Sequence, residues 1–150
     1  MQLKVKIIEK ENIAPVPLPK KQSEEAAGFD LSASIEKEIT LAHGELAVIP
    51  TGIAVEMEKG YTGLLFGRSG LGVKHGIHPS NAVGVIDSDY RGEICVGLCN
   101  VSSSPYVIKP LDRVAQLVII KTAEVDIVEA STLSESERGE KGFGSTGKGV

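Results

Sequence analysis

Cysteine, tryptophan, arginine and long apolar runs are all scarce in this chain of 150 residues. The two cysteines, Cys95 and Cys99, are four positions apart. On one strand their Cα atoms would stand roughly 13 Å apart, too far for a disulfide. Buried free thiols are therefore expected, as in a reducing compartment. Two cysteines without a nearby histidine pair also make a poor zinc site; His75 and His78, with no third ligand in view, read as loop or helix-end residues. Met1 to Ile8 alternates charged and apolar residues and has no signal-peptide core, and no run approaches membrane-spanning length. Cytoplasm is the default location and no membrane partner is expected. The net charge of −4 argues against nucleic-acid binding through a basic face. With no Trp and only three Tyr and three Phe, the core must be aliphatic, and oligomerisation is expected to bury more of it.

What is present points to one domain rich in strands. Leu3, Val5 and Ile7 alternate with lysines, and Ile53, Val55 and Met57 alternate with Ala54, Glu56 and Glu58. Further apolar runs lie at Leu46–Ile49, Leu64–Phe66, Ile94–Leu98, Val114–Ile120 and Val125–Val128, punctuated by Gly, Pro, Asn and Ser. Many short strands with regular turn signals read as a sandwich or barrel. One short helix is expected around Ser69–His75, with Ser69 as its cap.

The chemistry-bearing residues are clustered. There are twelve lysines spread along the chain but four arginines, Arg68, Arg91, Arg113 and Arg138, each inside a dense motif. The planar guanidinium fork matches phosphate oxygens in pairs, so this placement suggests a small polyanion. Gly84 to Glu93 packs Asp87, Asp89, Tyr90 and Arg91 into one turn; calcium-loop spacing fails there because Arg91 and Leu98 occupy ligand positions. A hairpin presenting Asp87 and Tyr90 near its tip is expected instead. Arg68-Ser69-Gly70 at a helix start suits phosphate. Gln116, inside an apolar strand, needs partners for its amide. The tail from Arg138 to Val150 holds five glycines, one Phe and two hydroxyls. Ordering so much glycine requires a ligand, and arginine, free N–H groups and an aromatic face suit a phosphate-bearing flat ring. Its overlapping Gly-x-Gly-x-x-Gly and P-loop-like spacings are decoys, since too few residues follow to build the helix either motif needs.

Ala27-Gly28-Phe29-Asp30-Leu31, Arg68-Ser69-Gly70-Leu71, Gly84 to Gly92, Asp112-Arg113-Val114-Ala115-Gln116-Leu117 and Arg138 to Gly147, in this order, resemble the deoxyuridine triphosphatase family. The resemblance implies an all-β, jelly-roll-like β-barrel over residues 1–137 with one short helix and a flexible glycine-rich tail over 138–150. It implies a homotrimer with sites shared between subunits, and hydrolysis of dUTP to dUMP and pyrophosphate with Mg²⁺ carried by the triphosphate. That reaction limits uracil in DNA and supplies a thymidylate precursor. Asp87 then corresponds to the general base that activates water, Tyr90 to the residue that excludes a 2′-hydroxyl, and Asn81 to the uracil reader. Arg68, Ser69, Gly70 and Gln116 would hold phosphates and the attacking water. Arg138, Phe143, Gly144, Ser145 and Thr146 would close over the nucleotide, with Phe143 stacked on uracil. No direct metal ligand is implied, although Asp30 is placed to reach the ion through water. The fold is similar to that of deoxycytidine triphosphate deaminases; Asp87 and the Gly-Phe-Gly-Ser-Thr-Gly tail favour the pyrophosphatase. Gly67 and Leu111 depart from the family's usual Pro and Gly. Gly67 is expected to loosen the approach to the phosphate loop, and Leu111 to require a turn without positive φ.

Overall fold

Period-2 patterning becomes a strand wherever a neighbour can complete the ladder. The computed structural model describes residues 2–140, and within them eleven strands and one helix follow in the order β1 Lys4–Ile7, β2 Phe29–Ser32, β3 Ile39–Leu41, β4 Leu46–Pro50, β5 Ile53–Glu56, β6 Tyr61–Phe66, α1 Ser69–His75, β7 Ile77–Pro79, β8 Gly84–Ile86, β9 Cys95–Asn100, β10 Tyr106–Ile108 and β11 Arg113–Lys121. All pairings are antiparallel. The two larger sheets run β2-β11-β6-β8 and β4-β9-β7, and β1-β5 and β10-β3 form two-stranded sheets. This is the all-β, jelly-roll-like barrel with one short helix that the motifs imply.

The core is aliphatic. Leu31, Leu65 and Leu117 of one large sheet and Ile49, Val96, Leu98 and Ile77 of the other belong to one buried cluster. Each large side chain so buried contributes about 1.5–3 kcal/mol relative to exposure. β9 shows how alternation sorts the faces: Val96, Leu98 and Asn100 point inward, while Cys95, Gly97 and Cys99 point outward. The buried polar exception, Asn100, is fully bonded. Its Nδ2 donates to the carbonyls of Leu41 and Ser104, and its Oδ1 accepts from the N–H and hydroxyl of Ser102.

Helix α1 has the expected bounds, but Ser69 is its first helical residue, not its cap. Arg68 takes the N-cap place in an extended conformation with no side-chain cap bond. The helix ends at Gly76, whose φ of 66° is left-handed and whose absent Cβ would stand 2.9 Å from the Ser102 backbone nitrogen.

Three further expectations are corrected. Val125–Val128 is not a strand: Val125, Ile127 and Val128 are 75%, 97% and 79% exposed, and the segment joins none of the sheets of the described chain. Cys95 is exposed and Cys99 half-buried, because period 2 turns both outward; both are free thiols. Leu111 does adopt positive φ, at 66°. It follows Pro110 in a turn closed by Asp112 N–H to the Lys109 carbonyl, and its own N–H donates to Ala33. The Asp112 carboxylate accepts the Lys109 N–H. Together these bonds over-determine a conformation that costs an L-residue about 1–2 kcal/mol.

Candidate active site

Three strands deliver the first cluster. Gln116 on β11 is the register partner of Asp30 on β2 and of Phe66 on β6, so all three lie in one row across the sheet. The chain leaves β6 through Gly67 and Arg68 into α1. Gln116 Nε2 donates to the Gly67 carbonyl at 2.9 Å, answering the demand of its half-buried amide. Gly28 makes room for it, since a Cβ there would stand 2.8 Å from Gln116 Oε1. Gly67 permits a close approach: a Cβ there would stand 2.9 Å from Pro79 Cδ.

Asp30, its side chain only 13% exposed, lies between two arginines. Arg68 Nε donates to Oδ1 at 3.2 Å and Arg113 Nη1 to Oδ2 at 3.0 Å. Arg68 Nη1 also donates to the Arg113 carbonyl at 3.1 Å. Two cations against one carboxylate leave a net positive charge beside the first-turn N–H groups of Ser69 and Gly70, which have no intrahelical acceptor. The cluster can therefore bind an anion. Sequence reasoning left Arg113 without a role; its signal was its place in the same motif as Gln116.

The second cluster lies in the turn between β8 and β9. Those strands do not pair, and a cavity of about 240 Å³ opens beside them, lined by Val85, Ile86, Asp87, Tyr90, Glu93, Ile94 and Cys95. Both limbs are tied elsewhere. On the β8 side, Thr62 Oγ1 donates to the Ile86 carbonyl. On the β9 side, Ile94 N–H donates to Ile53, and the Ile94 carbonyl accepts from the N–H and hydroxyl of Thr51. Glu93 Oε1 accepts from Lys10 Nζ at 2.6 Å and from the Gly52 N–H at 2.7 Å. Sequence reasoning also missed Glu93, an anchor whose partners are 83 and 41 positions away.

Tyr90 Oη donates to the Glu93 carbonyl, and its N–H to the Asp87 carbonyl, which sets Asp87 at the exposed rim of the cavity. Asp87 and Val85 also border a broader hollow of about 780 Å³ on the protein surface. Arg91 closes its own turn by donating to the Ser88 and Tyr90 carbonyls. Asn81 lies in the link from β7 to β8, where the Val83 N–H bonds back to the Asn81 carbonyl across Ala82 at φ 62°. Such a γ-turn is strained.

The two clusters do not meet within one chain. Ile86 pairs with Gly63, so Asp87 falls opposite Thr62, six residues before Arg68 along an extended segment. At the usual strand rise that is about 20 Å. Arg138 is among the described residues, whereas Phe143, Gly144, Ser145 and Thr146 lie outside them.

A family model described as dUTPase matches residues 14–147, which includes every motif above. The chain belongs to the dUTPase family. Curated relatives named deoxyuridine 5′-triphosphate nucleotidohydrolase include that of Nautilia profundicola, 48% identical over 148 residues and covering 99% of this chain and 100% of the relative. That of Fusobacterium nucleatum subsp. nucleatum is 44% identical over 147 residues, covering 98% and 99%. Among solved structures, a mutant of the Staphylococcus bacteriophage 80alpha dUTPase with dUpNHpp aligns at a TM-score of 0.82 and 28% identity, covering 98% of this chain and 99% of that one. Residues 14–147 of this family member thus hold both the anion-binding row and the Asp87 turn.

Proposed function

We propose that this chain hydrolyses dUTP to dUMP and pyrophosphate. Asp87, exposed at the rim of a cavity between unpaired strands, carries this reading. Uracil and deoxyribose would enter the cavity, with Asn81 and nearby backbone groups reading the base and the Tyr90 ring leaving no room for a 2′-hydroxyl. Asp87 would accept a proton from water as the water oxygen bonds to the α-phosphorus. The bond to the β-phosphate oxygen then breaks and pyrophosphate leaves. General-base assistance of this kind contributes about 10²–10⁴-fold.

Arg68, the Ser69 and Gly70 N–H groups and Gln116 would hold the phosphates and the attacking water. Arg138, Ser145 and Thr146 would bind the outer phosphates, with Phe143 and Gly144 over the base, so that residues 138–150 act as a closing tail on the barrel of residues 1–137. Mg²⁺ is proposed to arrive bound to the triphosphate. Both oxygens of Asp30 are held by arginines, which fits contact with that ion through water better than direct ligation.

A base about 20 Å along the strand from Arg68 cannot serve the phosphates held by that arginine within one chain. A homotrimer with sites at subunit contacts would join one chain's Asp87 turn to another's Arg68 row. The exposed apolar side chains Leu46, Val48, Val85, Val125 and Ile127 support such an assembly. Among the described residues no helix is long and apolar enough to cross a membrane. The proposed setting is the cytoplasm, where the reaction would limit uracil in DNA and supply dUMP for thymidylate synthesis.

Pyrophosphate release with Mg²⁺ from dUTP, UTP, dCTP and dTTP, measured side by side, tests the reading. Rapid release from dUTP alone is expected. Ammonia release from dCTP, or equal turnover of UTP, would overturn it.

A further inference from the structure

We propose that Arg113 is a positioning residue that keeps the Arg68 fork open for phosphate by occupying the second oxygen of Asp30. This rests on the reading that Arg68 meets the triphosphate. Arginine and carboxylate ordinarily form a two-bond fork. Here the fork is half made: Arg68 Nε reaches Oδ1, while Oδ2 is taken by Arg113 Nη1. The Nη2 group, whose N–H lies on the same side as Nε–H, is the one that would complete the fork on Oδ2. Arg113 displaces it there.

The Arg113 backbone adds a second restraint, since its carbonyl accepts from Arg68 Nη1 at 3.1 Å. The guanidinium is thus pinned on two edges, and among the described residues Nη2 has no partner. Its two N–H groups stay available to an incoming anion. Without the Arg113 side chain, Oδ2 is released to a guanidinium already 3.2 Å away. Asp30 would close the two-bond fork and take up an Nη2 N–H group that phosphate needs. That closure weakens phosphate binding before any chemistry occurs.

The test is steady-state hydrolysis of Mg·dUTP by the full chain, comparing wild type, Arg113→Met, Asp30→Asn and the double variant. Arg113→Met is expected to raise KM about tenfold with kcat within about twofold. In the Asp30→Asn background the same substitution is expected to change KM by less than about twofold, because the competing carboxylate charge is gone. Arg113→Lys, the milder variant should Met not fold, is expected to raise KM about threefold, an increase that also vanishes with Asp30→Asn. An unchanged KM in Arg113→Met, or an equal penalty with and without the Asp30 charge, overturns the proposal. In the second case Arg113 meets phosphate directly. A wild-type protein that leaves dUTP intact overturns the proposed function and this inference with it.

Discussion

Gly28 and Gln116 interlock: a Cβ on Gly28 would stand 2.8 Å from Gln116 Oε1 and 3.2 Å from Gln116 Cβ. Gly28→Ala therefore has to displace the amide that bonds the Gly67 carbonyl just before Arg68. The expected outcome is a stability loss of about 1–3 kcal/mol in denaturant unfolding. A fall in kcat/KM for dUTP is expected to accompany it. Unaltered kinetics would separate Gln116 from phosphate placement.

Asp87→Asn retains shape and hydrogen bonding but removes the proton acceptor. Nucleotide binding should persist while kcat falls about 10²–10⁴-fold. Titration with dUTP and rapid-quench turnover measure the two separately, and near-normal kcat removes Asp87 from the base role.

Leu111 sits at φ 66°, where glycine pays no steric cost. The residue is 41% exposed, so little packing is at stake. Leu111→Gly is expected to stabilise the fold by about 1 kcal/mol net. A lower denaturation midpoint would show that leucine packing outweighs backbone strain.

Cys95 lines the cavity beside Tyr90 and Asp87. Desolvation around its sulfur, and next the Glu93 carboxylate, push the thiol up from its ordinary value, against a smaller opposing pull from Lys10. The thiolate is disfavoured, so iodoacetamide labelling in a Cys99→Ser background should rise with pH later than for an ordinary thiol. Glu93→Gln should move that profile to lower pH. A labelling curve that stays put, or moves upward, contradicts the assignment. Saturating dUMP is expected to slow labelling if the base enters this cavity.

Deletion from Arg138 onward should preserve the β-sheet circular dichroism spectrum and abolish efficient dUTP hydrolysis. Normal turnover by the truncated protein would show that residues 138–150 are not a lid.

Local pattern carried much of the fold. Leu3, Val5 and Ile7 announced β1 because period 2 needs no knowledge of a partner. The helix appeared at Ser69–His75 although Gly70 and Gly72 weaken its propensity, since Gly76 ends it and Leu71 anchors it to the core. Val125–Val128 shows the limit of such reading. It has a strand's composition, but a strand also needs a neighbour to complete its ladder, which composition does not report. Ser69 likewise has a cap's chemistry, yet the extended Arg68 moved the cap one residue earlier.

The sequence by itself determined the chemical inventory: an acid at Asp87, a guanidinium at Arg68, an amide at Gln116, and the five ordered motifs that carry family membership. Residue type sets what a side chain can donate, accept or titrate, and that is written locally. Only the tertiary structure decided which groups meet. Antiparallel register brings Asp30, 86 positions from Gln116, into its row, and puts Arg113 on the same carboxylate as Arg68. The same register holds Asp87 four residues along β6 from that row, about 13 Å. Long-range pairing depends on every strand finding its neighbour at once, so no single segment encodes it.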